Sequence, residues 1–114
     1  MDVFEALADP TRRAIVGMLA ERERYAGEIA DRFPIAGPSV SRHLKVLRES
    51  GVISYRQEAT SRIYTLEASA LDEAKQWMEA QLDVLKARFD RLGAHLDLMK
   101  EREEREARSD DDRG

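Results

Sequence analysis

"GPSVSRHLKVLRESGVI", residues 37–53, reads as an amphipathic helix running into a strand. At about 100° per residue, Val40, Leu44 and Leu47 stack on one side. Pro38, Arg42, Lys45 and Glu49 gather on the other, flanked by Ser39, Ser41 and Val46. Pro38 suits a first helical turn and Gly51 suits a C-terminal cap, so the helix is expected over 38–50. Its opening turns carry short or basic side chains: Ser39, Ser41, Arg42, His43 and Lys45. A helix that only packs needs nothing there beyond solubility. One that reads another molecule needs small residues for close approach and cations for grip.

Upstream, Asp2 with Glu5 three residues on makes a capping-box-like start to a short helix with the apolar stripe Val3, Phe4, Leu7. Asp9-Pro10 ends it and opens a second helix, with Asp9 as N-cap and Pro10 at the first position; Ile15, Met18 and Leu19 point inward. "YAGEIADRF" is a third short helix, with Ile29, Ala30 and Phe33 on one face, and Pro34 stops it. Downstream, "VISYRQ" and "RIYTL" read as two strands across a turn near Ala59-Thr60-Ser61 that contains no Gly. Tyr64 and Leu66 alternate with polar neighbours, which suits a sheet wet on one face.

Ser69 with Asp72 caps a long final helix. From Met78 its apolar residues run Leu82, Leu85, Phe89, Leu92, Leu96, Met99, an a/d seam of three heptads. So small a domain has little core to cover such a helix, so a partner helix is the favoured occupant over intramolecular packing. Beyond Lys100, "EREEREARSDDDRG" has no apolar stripe and reads as a fraying helix or a disordered tail. Residues 1–100 are therefore read as one domain and 101–114 as a charged tail.

The 114 residues suit a single domain with a modest core. With no Cys, disulfides, thiolate metal sites and cysteine catalysis are excluded. Helical periodicity begins almost at Met1 and no apolar run approaches spanning length, so a cytoplasmic protein with no membrane partner is expected. The net charge is −4, but its distribution is uneven. Residues 1–66 hold ten Lys/Arg against nine Asp/Glu, net +1, and residues 67–114 hold nine against fourteen, net −5. Between Arg42 and Arg62 five basic residues face two acidic ones, Glu49 and Glu58, so the middle of the chain can still meet an anion.

Helix, tight turn, helix, then a two-stranded ribbon is the order of a winged helix-turn-helix, in which the second helix of the pair enters the DNA major groove by its N-terminal residues. The fold expected is mainly α: about five helices, a two-stranded β-wing and a long C-terminal dimerisation helix. Pro38, Ser39 and Ser41 let the helix approach bases. Arg42 reaches guanine or phosphate, and Lys45 and Arg48 suit phosphates. Arg56 and Arg62 flank the wing tip, where cations meet the backbone or a narrow minor groove. His43 sits at the edge of the apolar face, open to packing, capping or a DNA contact.

"ALADPTRRAIVGML", "EIADRF", "PSVSRHLKVLRESGVI" and "RIYTL", taken in order, resemble the ArsR-type winged-helix transcriptional repressors, in the branch without metal-site cysteines. The likeness covers roughly residues 4–97. It implies a homodimer joined through the first and last helices (Val3, Phe4, Leu7 with Met78, Leu82, Leu85, Phe89, Leu92, Leu96). It also implies a palindromic double-stranded DNA operator, with Pro38, Ser39, Ser41, Arg42 and His43 at the DNA. The metal-sensing branch carries Cys-x-Cys in its third helix, where this chain has "YAGEIAD". The other familiar metal site pairs His and carboxylates on the last helix, which here offers His95 alone, with Val84 eleven residues before it and Leu98 three after. No metal and no cofactor are therefore expected. Tyr25 and Ala36 stand where Thr and Ser caps are common.

An enzyme is not expected: His43 and His95 lie on different elements, and there is no phosphate loop and no evident carboxylate pair in an apolar pocket. The competing reading is a winged-helix protein–protein interaction module without specific DNA binding. An effector or protein inducer that would release DNA has no motif of its own in the chain.

Overall fold

The computed structural model describes residues 2–113, with side chains through Arg108. The helices are α1 (Val3–Leu7), α2 (Pro10–Glu21), α3 (Ala26–Asp31), α4 (Gly37–Glu49) and α5 (Ala68–Arg113); the strands are β1 (Arg24–Tyr25), β2 (Ile53–Glu58) and β3 (Ser61–Leu66). Contacts divide the chain into two compact units, Met1–Lys75 and Gln76–Gly114.

The expected punctuation holds at the helix starts. Asp2 accepts from the Glu5 N–H at 2.8 Å and Asp9 from the Arg12 N–H at 3.0 Å, with Pro10 following Asp9. Each carboxylate satisfies an amide that has no partner within its own helix. The other end of α1 is held differently. Arg12 donates from Nε to the Ala6 carbonyl at 2.6 Å and from Nη2 to Glu5 at 3.1 Å, and Arg13 donates to Leu7 at 2.9 Å. The two arginines at the start of α2 thus complete the carbonyl end of α1.

Helix α4 closes with both bonds of a Schellman motif: Val52 N–H to the Leu47 carbonyl, 3.1 Å, and Gly51 N–H to Arg48, 3.0 Å. Gly51 takes φ +80°, a conformation that a Cβ would strain. The motif drops Val52 and Ile53 straight into the core, where Ile15, Ile29 and Leu47 are also fully buried. Val40 and Leu44 join them, and Val46, placed on the polar flank by its angle, packs against the same cluster.

Three findings differ from the sequence reading. The expected β2–β3 wing hairpin is present, but its sheet has a third strand: β1 adds to β3 antiparallel, giving the order β1-β3-β2. A two-residue strand has no periodicity to detect. It makes β3 the central strand, so consecutive residues Ile63 and Tyr64 are both buried and the expected one-sided alternation fails there. The hairpin turn is Ala59-Thr60, and Ala59 takes φ +53° without being Gly. Finally, Ser69 lies inside the first turn of α5 rather than ahead of it; the charged segment after Lys100 continues the same helix through Arg113, which agrees with the helical one of the two readings given for it. The side chains of 109–113, and Gly114, lie outside the described residues.

In the second unit α5 presents its seam unburied: Met78, Leu82, Leu85, Phe89, Leu92, Leu96 and Met99 are 40–56% exposed in the single chain. Among the described residues no helix is long and apolar enough to cross a membrane.

Candidate nucleic-acid interface

Two rows of side chains run along α4. Pro38 and Arg42 point to solvent, and Arg42 makes no side-chain hydrogen bond or ion pair among the described residues. Ser39 is half-buried at the helix start, and neither it nor Pro38 obstructs approach with a long side chain. The second row, Ser41, Leu44, Lys45 and Arg48, turns toward β3. With Arg62 and Tyr64 it lines a half-open cleft of about 330 Å³ between the helix and the wing. Lys45 has Glu49 one turn away at 3.9 Å, both exposed, a pairing that holds little charge back from solvent.

The two wing arginines separate. The register pairs Tyr55 with Tyr64 and Gln57 with Arg62 on one sheet face, and Arg56 with Ile63 on the other. Arg62 lies with its guanidinium carbon 4.4 Å from the centre of the Tyr55 ring, and Arg48 reaches the same ring at 5.3 Å. A hydrogen bond with Tyr64, aided by Tyr55, raises the Arg62 pKa further above its ordinary value. Arg56 instead pairs with Glu23, just before β1, and this bond raises its pKa. The sequence put Arg56 and Arg62 together at the wing tip; in three dimensions one is paired with a carboxylate and the other is held by tyrosines.

His43 faces inward. Its ring is 21% exposed, with Nδ1 3.8 Å from Asp9 and 3.5 Å from Arg12 Nη1. Of the readings open for His43, packing and capping fit this setting at Nδ1. The Arg12 N–H chiefly, with His43 assisting, lowers the Asp9 pKa. Further from α4, two more arginines of the first unit are paired, Arg22 with Glu28 at 2.6 Å and Arg24 with Glu21 at 2.9 Å, while Arg32 is exposed. Glu28 also reaches back to the Tyr25 N–H at 3.2 Å, so α3 is capped without a Thr. Ala36 caps α4 with no side-chain bond.

Sequence reasoning passed over Tyr55, Glu23 and Arg12. Tyr55 was legible in principle, since the hairpin register alone sets it across from Tyr64. Glu23 and Arg12 act on residues 33 and 31 positions away, and no local pattern reports that. Among the described residues no group of three or more His, Cys, Asp or Glu is gathered as for a metal ion.

The profile of a helix-turn-helix domain family matches residues 7–56. The chain is 39% identical to the transcriptional repressor SdpR of Bacillus subtilis over 77 residues, covering 68% of this chain and 86% of that protein. It is 44% identical to the HTH-type transcriptional regulator Rv2034 of Mycobacterium tuberculosis, covering 60% and 64%. A solved ArsR family transcriptional regulator superposes with a TM-score of 0.69 at 32% identity, over 73% of this chain and 86% of that one. The chain belongs to the ArsR family. It is a winged helix-turn-helix transcriptional regulator that binds double-stranded DNA, and not an enzyme. In this ArsR-family member Arg42 and Arg48 lie on α4, the second helix of the helix-turn-helix, and Arg62 lies on the wing that follows it.

Proposed function

We propose that this chain is a homodimeric, sequence-specific repressor that reads the major groove with α4 and grips the flanking backbone with the wing. One observation carries this. In an acidic chain where carboxylates hold Arg22, Arg24 and Arg56 and carbonyls hold Arg12 and Arg13, Arg42, Arg48 and Arg62 have no carboxylate partner among the described residues and lie on α4 and the wing. Arg42 is the base reader, because it stands beyond Pro38 and Ser39 with nothing to hold it back. Lys45, Arg48 and Arg62 neutralise phosphates. The sign of regulation is taken from SdpR, a repressor by its own name.

The dimer is proposed from α5. An apolar seam three heptads long and half-exposed is unstable in water unless another helix covers it. Phe4 of α1, 43% exposed, is a second contact offered to the partner, while Val3 already packs on its own core and Leu7 is half-buried. Two-fold symmetry then sets two α4 helices on half-sites about one DNA turn, or a multiple, apart.

The test is fluorescence anisotropy with duplexes from the promoter of the chain's own gene and scrambled controls, over a salt series. Preference for one imperfect palindrome, with log affinity falling linearly in log salt, is expected. Equal, weak binding to all duplexes would refute sequence-specific regulation and leave the interaction-module reading.

A further inference from the structure

We propose that the cleft between α4 and the wing is a seat for a single phosphate group, with Tyr55 as the positioning residue that keeps its two guanidiniums together. Lys45, Arg48 and Arg62 border the cleft, Ser41 adds a hydroxyl, and Leu44 and Tyr64 form the floor; no carboxylate lines it. Three cations this close repel one another, and two devices exist to hold such a cluster. Carboxylates hold it by neutralising it, as Glu23 does for Arg56 and Glu28 for Arg22. An aromatic ring holds it through its quadrupole and leaves the charge intact for a ligand.

The Tyr55 ring takes Arg48 from the helix and Arg62 from the wing, 5.3 and 4.4 Å from its centre. Tyr64 supports the ring from β3 with centroids 5.7 Å apart. The ring therefore does two things. It fixes the spacing between the reading helix and the wing, and it stores a net positive charge facing the opening. A phosphate suits the cleft because its oxygens accept from forked guanidiniums and from the ammonium and hydroxyl groups at once. Arg56, on the opposite sheet face, has no share in the seat.

Two sources carry this chemistry, the DNA backbone and free phosphate. The DNA source rests on the function proposed above, whereas the seat itself does not. The full ¹⁵N-labelled chain is titrated with inorganic phosphate against chloride at constant ionic strength. Saturable shifts at the Arg48 and Arg62 Nε–H signals, with Arg56 unmoved, are expected. Equal drift of all three signals would overturn the seat.

A second arm measures duplex DNA binding. Tyr55→Leu should lose about five- to thirty-fold in affinity, the worth of two exposed cation–π pairs. Arg62→Gln should flatten the salt slope by about one unit. Tyr55→Phe, which keeps the ring, and Arg56→Gln should both bind as the unmodified chain does. Wild-type affinity in a folded Tyr55→Leu protein, or loss in Tyr55→Phe, would overturn the positioning role. Saturating phosphate that leaves DNA affinity unchanged would overturn the DNA source while upholding the seat. If no duplex binds but phosphate still saturates, the proposed function fails and the seat stands.

Discussion

Helices α4 and α5 are built on the same apolar spacing, yet one hides its stripe and the other shows it. Val40, Leu44 and Leu47 of α4 are at most 4% exposed, whereas the seven seam residues of α5 are 40–56% exposed. Periodicity states only that a helix has an apolar face. What covers that face depends on how much chain is left to do so. Helix α4 is short enough, at 13 residues, to be enclosed by α1, α2, α3 and β2, while α5 runs for 46. The polar faces differ too. On α4 it carries Arg42 and Arg48 without carboxylate partners beside the single exposed pair Lys45–Glu49, and on α5 acids and bases alternate at exposed i,i+4 spacing, as in Glu101–Arg105.

The sharpest way to break this contrast is to truncate one leucine from each stripe. Leu47→Ala should cost about 2–5 kcal/mol of unfolding free energy, because a fully enclosed side chain leaves a cavity. Leu92→Ala should leave the first unit's unfolding nearly unchanged and instead shift the sedimentation profile toward monomer at micromolar concentration. Similar losses, both independent of protein concentration, would mean that the seam is covered within the chain.

Next in size is the polar face of α4. Arg42→Ala should cost about 1–3 kcal/mol of operator affinity and relax preference at one position per half-site. The matching change on α5, Arg91→Ala, should leave operator affinity within experimental error. Competition binding against single-base operator variants separates the two.

Two smaller changes test local backbone physics in each unit. Ala59 sits at positive φ in the hairpin turn, so Ala59→Gly should stabilise the wing by roughly 1 kcal/mol before the entropy of Gly is subtracted. Gly93 interrupts α5 with open space around its missing Cβ, so Gly93→Ala should add up to about 1 kcal/mol of helix stability. Circular dichroism melts report both. A Gly93→Ala chain that becomes more helical but less dimeric would show that the partner passes close at that position.

The smallest expected effect is on acid sensitivity, and it belongs to the first unit. The Arg12 N–H holds the Asp9 carboxyl below its ordinary 3.8, and the Arg22 guanidinium holds Glu28 below its ordinary 4.5. A carboxyl depressed on folding gives stability that is complete above its unfolded value and is lost as pH falls through the folded one. Melting temperature should therefore respond to these two groups only below about pH 4.5. Asp9→Asn with Glu28→Gln should flatten that acid limb, and an unchanged limb would assign it to other groups.

How much of this was legible beforehand varies by residue. Asp2, Asp9, Pro10 and Gly51 marked helix ends correctly because capping acts across three or four residues, within reach of a local pattern. The apolar face of α4 and the polar surface around Arg42 were legible for the same reason. The partners of Arg56 and His43 were not legible, because Glu23, Asp9 and Arg12 arrive only when distant segments fold together; for His43 the sequence had left packing, capping and a DNA contact all open. A charge in a sequence carries no mark of whether it will be neutralised.

By itself the sequence determined the order of the five helices and the β2–β3 hairpin, and the stripes that enclose the first unit. All of these rest on periods of two or 3.6 residues and on single-residue backbone preferences. Tertiary structure alone decided which cations stay unpaired. It assigned Arg56 to Glu23 and His43 to α2, and it brought Arg48 and Arg62 to one tyrosine ring from elements on either side of a cleft. It also added β1 to the wing, which buries both Ile63 and Tyr64. The reason is the reach of the forces: capping and periodicity act along the chain, whereas charge pairing, cation–π contact and strand addition act through space.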